Sequence, residues 1–410
     1  MVLNYIWIGF FVVAAISAVI KCVFFADYEV FERIINGTFN MAKISVIDIA
    51  LPLSGTMILW LGIMNIGQRA GAVDFLGKII GPFFEKLFPE IPKGHPANGQ
   101  LVMNFSANML GLDNAATPLG LNAMNSLQEL NPNKEEASNA QIMFLALNTS
   151  GLTLVPVAIM TQRFVMGAAD PTDIFIPLLL STFVSTLIAI LYVGIKQKLN
   201  LFNKVVLGGL AGLSLFVGSI VAIFAQMEQS QISFWSKLVS NLLLFSIIIS
   251  FIVMGLVKKV NVYESFIEGA KTGFDTSVKV MPYLVGMLVG IGVVKDSGAL
   301  SILLDGFRFL FSMLPDTDFV DALPTAIMKP LSGSGAKAMM VATMEEFGPD
   351  SFAGRLSCMF QGAADTTFYV IALYFGSVGI RKTRYAVTAG LVADIGGVIA
   401  AILIAYNFFH

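Results

Sequence analysis

Two apolar stretches that polar residues interrupt decide the fold: NFSANMLGLDNAATPLGLNAM at residues 104–124 and LPTAIMKPLSGSGAKAMM at residues 323–340. Glycine, proline and polar side chains break each stretch, so neither suits one continuous membrane-spanning helix. Non-helical backbone at membrane depth is tolerated only where it is buried in protein or lines a wet cavity. We therefore predict two re-entrant helical hairpins with polar tips, at residues 97–130 and 321–347.

The composition places most of the chain in lipid. Hydrophobic residues make up 56% of the 410 residues and charged residues only 13%, whereas a soluble domain has about 25% charged residues. The net charge of −2 gives no bulk field that would attract polyanions. These figures exclude a soluble enzyme, a disordered chain and a nucleic-acid binder, and they make the lipid bilayer the main partner.

Apolar runs of about 20 residues predict membrane crossings. Amphipathic stretches at residues 27–43, 69–93 and 260–275 suit the membrane interface instead. We predict an all-α polytopic protein of the plasma (inner) membrane with about nine spans, near residues 3–25, 45–66, 138–161, 174–195, 203–225, 233–257, 278–295, 354–378 and 385–407.

Lysine and arginine set the predicted orientation. They concentrate in short loops on the side of the N-terminus, for example at Lys196, Lys258 and Arg381. Cytoplasmic loops carry the excess of positive charge in membrane proteins. We therefore predict a cytoplasmic N-terminus and a C-terminus outside.

The chain also repeats itself. Identical residues recur in the same order at slowly decreasing offsets: Val30/Val262, Glu32/Glu264, Ile35/Ile267, Gly37/Gly269, Gly71/Gly298, Pro132/Pro349 and Met143/Met359. We divide the chain into a first repeat at residues 1–198, a linking span at 199–232 and a second repeat at 233–410. An odd number of crossings precedes the second repeat, so the two are inverted. Inverted repeats are common in secondary transporters, where broken helices of both halves hold the substrate near the midplane.

The same motifs carry a family resemblance. The stretch at 104–124 resembles spore maturation protein A. PLSGSGAKAMM at 330–340, GPDS at 348–351 and QGAADTTFYVIALYFGSVGIRKTRYA at 361–386 resemble spore maturation protein B. The chain thus resembles a fusion of the two over nearly its whole length. Both belong to the gate, or nucleoside-recognition, group, and the resemblance implies a membrane protein with a nucleoside-like ligand.

Polar side chains of the first hairpin are candidate substrate contacts: Asn104, Asn108, Asp113, Asn114 and Thr117. Asn104 and Asn108 are four residues apart and share a helical face. An asparagine amide offers a donor and an acceptor, which suits a sugar hydroxyl or the edge of a base. Asp113 and Asn114 either cap the second half-helix or, with its N-terminus, attract an anionic or polar substrate atom.

The second hairpin offers Ser332, Ser334 and Lys337 around a tip of small residues. A lysine at membrane depth is costly and is usually paired or solvated. Three interpretations of Lys337 stay open. It contacts a substrate anion, it pairs with Asp113 or Asp365, or it extends to the membrane interface.

Each span that follows a hairpin carries a polar triplet near its middle. The candidate binding residues there are Asn148, Thr149 and Ser150 in the first half and Asp365, Thr366 and Thr367 in the second, at an offset of 217. The hydroxyl groups either contact a ligand or bond back to their own helix.

Gln361 lies one helical turn before Asp365 and is a further candidate for substrate binding. An unpaired carboxylate at the midplane is costly, so Asp365 is partnered, protonated or bound to a cation. Asp365 and Asp113 are therefore candidates for coupling to Na⁺ or H⁺, between which the sequence does not choose. Asp394 raises the same question in the last span.

The sequence predicts transport rather than catalysis. Cys22 and Cys358 lie in apolar stretches and histidine occurs only twice, so we expect no enzyme, no resident metal and no cofactor. The favoured function is a secondary transporter or permease that binds a small polar solute at the two hairpin tips, and the family resemblance implies a nucleoside-like one. The alternative is a membrane factor in cell-envelope or spore maturation. Exposed apolar faces suit either lipid or a second copy in a homo-oligomer.

Overall fold

A computed structural model describes residues 2–111, 113–201, 203–224, 226–227, 229–313 and 316–410. These residues form α-helices joined by short connections, with no β-strand among them beyond one isolated bridge. The prediction of an all-helical chain is confirmed. Helices satisfy their own backbone hydrogen bonds, which is why so apolar a chain adopts them in lipid.

The described residues of the first half form nine α-helices, which are in chain order α1 Val2–Phe24, α2 Val30–Lys43, α3 Leu51–Arg69, α4 Ala72–Leu87, α5 Pro96–Met109, α6 Asp113–Leu130, α7 Asn139–Thr149, α8 Val157–Val165 and α9 Phe175–Lys196. The π-helical segment Ile44–Ala50 joins α2 to α3, so Val30–Arg69 is one continuous helix of 40 residues.

Helix α10, Lys204–Phe224, leads to the second half. That half begins with α11 Gln229–Val257, α12 Val262–Asp296 and α13 Ala299–Leu310. A 3₁₀ turn at Asp318–Ala322 precedes the remaining helices, which are α14 Leu323–Met328, α15 Gly333–Phe347, α16 Phe352–Gly362, α17 Thr367–Ser377 and α18 Ala386–Phe409.

The order of elements is the same in the two halves. Each half has a long helix, a longer one, a shorter helix, a pair of helices, a broken helix and a final long helix. The shorter helices α4 and α13 both begin after a left-handed glycine, Gly71 with φ of 89° and Gly298 with φ of 79°. Only glycine adopts this backbone conformation without strain, which accounts for the shared glycine in the sequence.

Helices α3 and α12 pack against each other in antiparallel directions. Asn65 Nδ2 donates to Ser265 O at 2.6 Å, and a Cβ on Gly273 would lie 2.6 Å from Met57 O. Glycine therefore lets the two backbones approach closely, as in membrane helix pairs. The final helices are also antiparallel, and Ser185 Oγ of α9 donates to Ala393 O of α18 at 3.0 Å.

The stretches at 27–43 and 260–275 are not separate helices, because each continues into a longer one, Val30–Arg69 and α12. Met41 packs against Gly292 of α12, whereas the apolar side chains of Phe31, Ile35 and Phe39 are exposed. That these stretches lie at the membrane interface stays a prediction.

Five of the described helices are long and apolar enough to cross a membrane: Trp7–Phe24, Val30–Arg69, Phe175–Lys196, Leu238–Val257 and Ala386–Phe409. A sixth is added if Leu284–Asp296 and Ala299–Leu310, which are bent by 76°, count as one span. The chain is therefore a membrane protein by architecture. The number of nine spans stays a prediction.

The continuous spans predicted at 138–161 and 354–378 are wrong in one respect, because both helices are broken at their polar triplets. Helix α7 ends at Thr149. The chain then turns at Gly151, which has φ of 60°, and α8 begins directly after Pro156. Helix α16 ends at Gly362, and Thr366 in an extended conformation precedes α17. The polar triplets are therefore the ends of half-helices rather than the middle of continuous ones.

Candidate functional site

The tip of each hairpin is bonded to the helix break of its own half. In the first half, Leu154 N donates to Met109 O at 2.7 Å. In the second half, Phe368 N donates to Pro330 O at 3.1 Å. The two halves thus use a similar main-chain bond to the end of the first hairpin arm, from within the break in the first half and from the first turn after it in the second.

The two helix breaks meet each other. Asp365 N donates to Thr149 O at 2.7 Å, and a Cβ on Gly151 would lie 3.1 Å from Asp365 N. A cavity of about 230 Å³ lies at this meeting point. We call it the junction cavity, and its polar wall consists of Asn108, Asn148, Thr153, Lys329, Gln361 and Asp365.

A chain of amides leads from the first hairpin to the cavity. Asn104 Nδ2 donates to Ala116 O at 2.8 Å, and Asn148 Nδ2 donates to Phe144 O at 2.9 Å. A carbonyl only accepts, so both amides are oriented with their oxygen atoms toward Asn108. Asn108 Nδ2 then donates to Asn148 Oδ1 at 2.9 Å and to Asn104 Oδ1 at 3.4 Å. These bonds fix all three amides and use the amide nitrogen of each.

Gln361 holds the place in the second half that Asn148 holds in the first. Each is the tenth residue after a serine, Ser138 or Ser351, that caps the N-terminus of its half-helix. The predicted equivalence of Asn148 with Asp365 is wrong. Asn148 lies in the last turn of α7, whereas Asp365 lies in the break after the end of α16 at Gly362.

Two oxygen atoms of the second half are free to meet a ligand. Gln361 Oε1 is buried and has no hydrogen-bond partner among the described residues. Asp365 Oδ1 accepts from Thr366 N at 2.7 Å, and the Asp365 side chain is exposed. Buried polar groups normally have partners, so an unpaired amide oxygen beside a cavity indicates a place for a ligand or water.

The predicted hydroxyl groups lie behind the cavity wall. Thr149 Oγ1 donates to Ala146 O at 3.1 Å and Ser150 Oγ donates to Leu147 O at 3.0 Å, so both bond back to their own helix. Thr367 Oγ1 donates to Asp394 Oδ2 at 2.7 Å. Thr366 donates its backbone N–H to Asp365, as above. These residues position the half-helix ends that carry the wall.

Asp394 is a buried carboxyl directly behind the second break. Its side chain is 4% exposed, and its Oδ1 has no hydrogen-bond partner within the part of the chain that is described. It belongs to the site through Thr367 rather than through the cavity wall. An incompletely paired carboxyl at this depth is costly, which marks Asp394 as a functional candidate.

The tip of the second hairpin does not border the cavity. Ser332 Oγ accepts from Gly335 N at 3.0 Å and lies 3.3 Å from Ser334 Oγ, so Ser332 is the N-cap of α15. Thr117 and Lys337 interact within the protein and are not part of the described wall. The side chains of Asp113 and Asn114 lie outside the described part of the structure.

Two residues in the wall of the junction cavity, Lys329 and Thr153, were not predicted from the sequence. Lys329 ends α14, is 8% exposed and interacts within the protein. Thr153 lies within the first break, and its hydroxyl donates to Gly151 O at 2.9 Å. A lysine directly before Pro330 in an apolar hairpin was a signal for the first. Thr153 gave no signal, because the helix break itself was not predicted.

A buried ion cluster links the two halves near the end of α8. Arg163 is fully buried and donates to Asp173 Oδ1 at 2.8 Å, to Asp350 Oδ1 at 3.0 Å and to Pro349 O. Arg355 Nε donates to Asp173 Oδ2 at 2.7 Å. Burial raises the pKa of the Asp173 carboxyl, and the two guanidinium groups act in the opposite direction. We call these four charged side chains the ion cluster.

A second link joins the halves at the other end of α7. Arg381 N and Lys382 N both donate to Glu135 O, at 3.0 and 2.9 Å, and Ala137 N donates to Lys382 O at 3.0 Å. Arg384 also donates to Ala137 O at 2.9 Å. This backbone link precedes α7 and follows α17, whereas the ion cluster lies at the end of α8 and the start of α16. The junction cavity therefore lies between two links at opposite ends of the broken helices.

One group among the described residues has the spacing of metal ligands. His410 Nε2 lies 3.1 Å from Asp316 Oδ2 and 3.5 Å from Asp318 Oδ2. These side chains are largely exposed and take no part in the junction cavity. Exposed acidic groups pair with histidine without any metal, so we assign no metal site there.

Comparison with known proteins shows which family the chain belongs to. The sequence profile of the nucleoside-recognition (Gate) family matches residues 50–165 and 277–381. The chain belongs to the nucleoside-recognition (Gate) family. The matched segments include both hairpins and both helix breaks, so the family's shared part is the part that encloses the junction cavity.

Two relatives from Bacillus subtilis (strain 168) each correspond to about half of the chain. The chain is 44% identical to spore maturation protein B over 163 residues, which are 40% of this chain and 90% of that protein. It is 38% identical to spore maturation protein A over 188 residues, which are 46% of this chain and 92% of that protein. The predicted resemblance to both proteins is confirmed.

Proposed function

We propose that the chain is a secondary transporter or permease that binds a small polar solute in the junction cavity. The observation that carries this proposal is the meeting of two helix breaks, one from each half, around one polar cavity. Broken helices that face each other at mid-membrane are the usual substrate site of transporters built from repeats. The family is described by nucleoside recognition, so nucleosides are among the small polar solutes to be tested.

The proposed topology has nine crossings and two re-entrant hairpins. Helices α7 and α8 together form one broken span, and α16 and α17 form another, because eleven residues rise only about 16 Å. The halves, residues 1–198 and 233–410, are inverted relative to each other, with residues 199–232 linking them. The antiparallel packing of α3 with α12 and of α9 with α18 supports this arrangement. The N-terminus is cytoplasmic and the C-terminus lies outside.

The positions of the ion cluster and the backbone link suggest how access to the cavity alternates between the two membrane faces. In the proposed topology the ion cluster and the backbone link lie toward opposite membrane faces, with the cavity between them. Opening one face requires its link to separate while the other stays closed, and the solute is thereby exposed to one side at a time. Asp365 at the cavity and Asp394 behind it are the carboxyl groups that would carry a coupling H⁺ or Na⁺.

A second candidate function rests on the relatives. Both are called spore maturation proteins, so a role in cell-envelope or spore maturation without transport as its main activity is the alternative. The paired breaks and the unpaired oxygen atoms at the cavity favour a bound solute, because a scaffold has no use for them.

Solute uptake into proteoliposomes tests the proposal. The purified chain is first screened by thermal stability in detergent against nucleosides, bases, amino acids, sugars and small carboxylates, at two pH values and with and without sodium. A solute at 100 times its Kd should stabilise the protein by about 2.7 kcal/mol. Stabilising solutes are then assayed for uptake.

Gln361→Leu is the decisive variant, and we expect it to lower uptake at least about tenfold through loss of a polar contact. Gln100→Leu is the matched control, because Gln100 Oε1 is also buried without a described partner but does not border the cavity. Uptake that survives Gln361→Leu at the level of Gln100→Leu would contradict the cavity as the binding site. A folded protein that takes up none of the solutes would favour the maturation factor.

A further inference from the structure

The junction cavity is surrounded by the negative ends of helices. Four helix C-termini contribute to its described wall: α5 through Asn108, α7 through Asn148, α14 through Lys329 and α16 through Gln361. The N-terminus of α8 also contributes, at Val157, and Asp365 directly precedes the N-cap of α17. A helix C-terminus carries about half a negative charge and favours cations. Because C-termini outnumber N-termini in the wall that the structure describes, the helix ends together give it a negative field.

The side chains of the wall also present acceptors. The nitrogen of Asn108 is used in two bonds within the amide chain, so its Oδ1 is the atom left over. Gln361 Oε1 has no described partner. The Asp365 carboxylate uses one oxygen for Thr366 N and keeps the other. Three oxygen acceptors, one of them charged, thus border the same cavity.

The assignment of these amides does not depend on the cavity itself. An amide oxygen and nitrogen are distinguished only by their partners. Ala116 O and Phe144 O are main-chain acceptors, and they force the nitrogen atoms of Asn104 and Asn148 toward themselves. The opposite orientation of Asn108 would place its oxygen against two other oxygen atoms. Asn108 must therefore offer an acceptor to the cavity.

We propose that the solute carries a protonated primary amino group and that this group binds among Asn108, Gln361 and Asp365. An ammonium group has three donors and no acceptor, which matches three oxygen acceptors in a negative field. This assignment rests on the proposed function and names the chemical class of its substrate. The cavity volume of about 230 Å³ holds an organic molecule rather than one metal ion.

Lys329 does not oppose this assignment. Its side chain is 8% exposed and is engaged within the protein, whereas the Asp365 carboxylate is exposed at the wall. The accessible charge of the described wall is thus negative. A solute that also carries an anionic group places it near Lys329 at the end of α14, and its ammonium group at the opposite wall.

Matched ligand pairs test the proposal. Each pair exchanges one ammonium group for a hydroxyl group on the same skeleton: 4-amino-1-butanol and 1,4-butanediol, serine and glycerate, and glucosamine and glucose. Apparent Kd values are measured from thermal stability of the purified full chain in detergent. We expect the amine of at least one pair to bind at least about tenfold more tightly than its hydroxyl partner, since a site built for a donor discriminates strongly against its replacement.

Variants then locate the ammonium group. Asp365→Asn keeps the size of the side chain and removes its charge, and it should weaken binding of that amine at least about tenfold. Asp275→Asn is the matched control, because Asp275 is an exposed carboxylate on α12 and does not border the cavity. Equal effects of the two substitutions would overturn the placement at Asp365.

Three results would overturn the assignment of an ammonium group to the cavity, and a further measurement shows whether the proposed transport function falls with it. Tighter binding of the hydroxyl members, or stabilisation by sodium chloride alone, removes the ammonium group from the cavity. Absence of any response to the amines also removes it. If a neutral or anionic solute is nevertheless taken up and Gln361→Leu abolishes that uptake, the transport function stands and only the substrate class is wrong.

Discussion

Replacing Arg163 with methionine should lower the free energy of unfolding by about 3–5 kcal/mol, the cost of breaking a buried ion pair from one side. Arg163 is fully buried and bonds to carboxylates from two loops, at Asp173 and Asp350. Methionine keeps much of the length of the side chain but removes the charge. The two acidic groups then share one remaining arginine, Arg355, which is the physical reason for the large loss.

Thermal and denaturant unfolding of the purified protein in detergent measures this effect. Arg308→Met is the control, because Arg308 is 42% exposed and bonds to Asp305 and Asp321 near the surface. Exposed pairs contribute about 0–1 kcal/mol, so the control should stay close to the parent. A loss for Arg163→Met no larger than that for Arg308→Met would show that the cluster does not hold the two halves together.

Gly151→Ala should be the second most damaging substitution, and it should abolish uptake. Gly151 has φ of 60°, and a Cβ there would lie 3.1 Å from both Ala364 C and Asp365 N. The left-handed conformation costs a non-glycine residue about 1–2 kcal/mol, and overpacking adds about 1–3 kcal/mol. The new methyl group pushes on the backbone where the two breaks meet, so the bond from Asp365 N to Thr149 O is strained or lost.

Gly167→Ala separates these two costs. Gly167 also has a left-handed conformation, with φ of 78°, but nothing lies within 4 Å of a Cβ there. Its substitution should cost only the conformational strain and should leave uptake intact. Both variants are compared by unfolding in detergent and by uptake of the solute identified for the parent protein. Equal loss of stability and equal uptake for both would mean that the contact between the breaks is dispensable.

The sequence predicted those features that short-range patterns encode. Apolar runs predicted an all-helical membrane chain, and polar tips at Gly111 and Ser332 predicted the two interrupted segments. Asn108, Asn148, Gln361 and Asp365 were candidates from their position in apolar stretches, and the structure brings all four to one cavity. That they bind a solute stays a prediction.

Other features depend on distant contacts that no local pattern contains. The breaks after Thr149 and Gly362 are stable because each meets the other and a hairpin tip, and an isolated apolar run gives no sign of such a partner. Arg163 was not a candidate from the sequence, because its partners Pro349 and Asp350 lie far along the chain.

The glycine-lined seam between α3 and α12 has a consequence for how the chain is connected. Each relative corresponds to about half of this chain, yet the seam joins one half to the other through close backbone contacts at Gly269 and Gly273. The seam therefore joins two halves that a single polypeptide holds together. Tethering raises the effective concentration of each half for the other to about the millimolar range. Two separate chains would need strong affinity to remain together in a dilute membrane, whereas this chain keeps the correct stoichiometry of one to one at any level of expression.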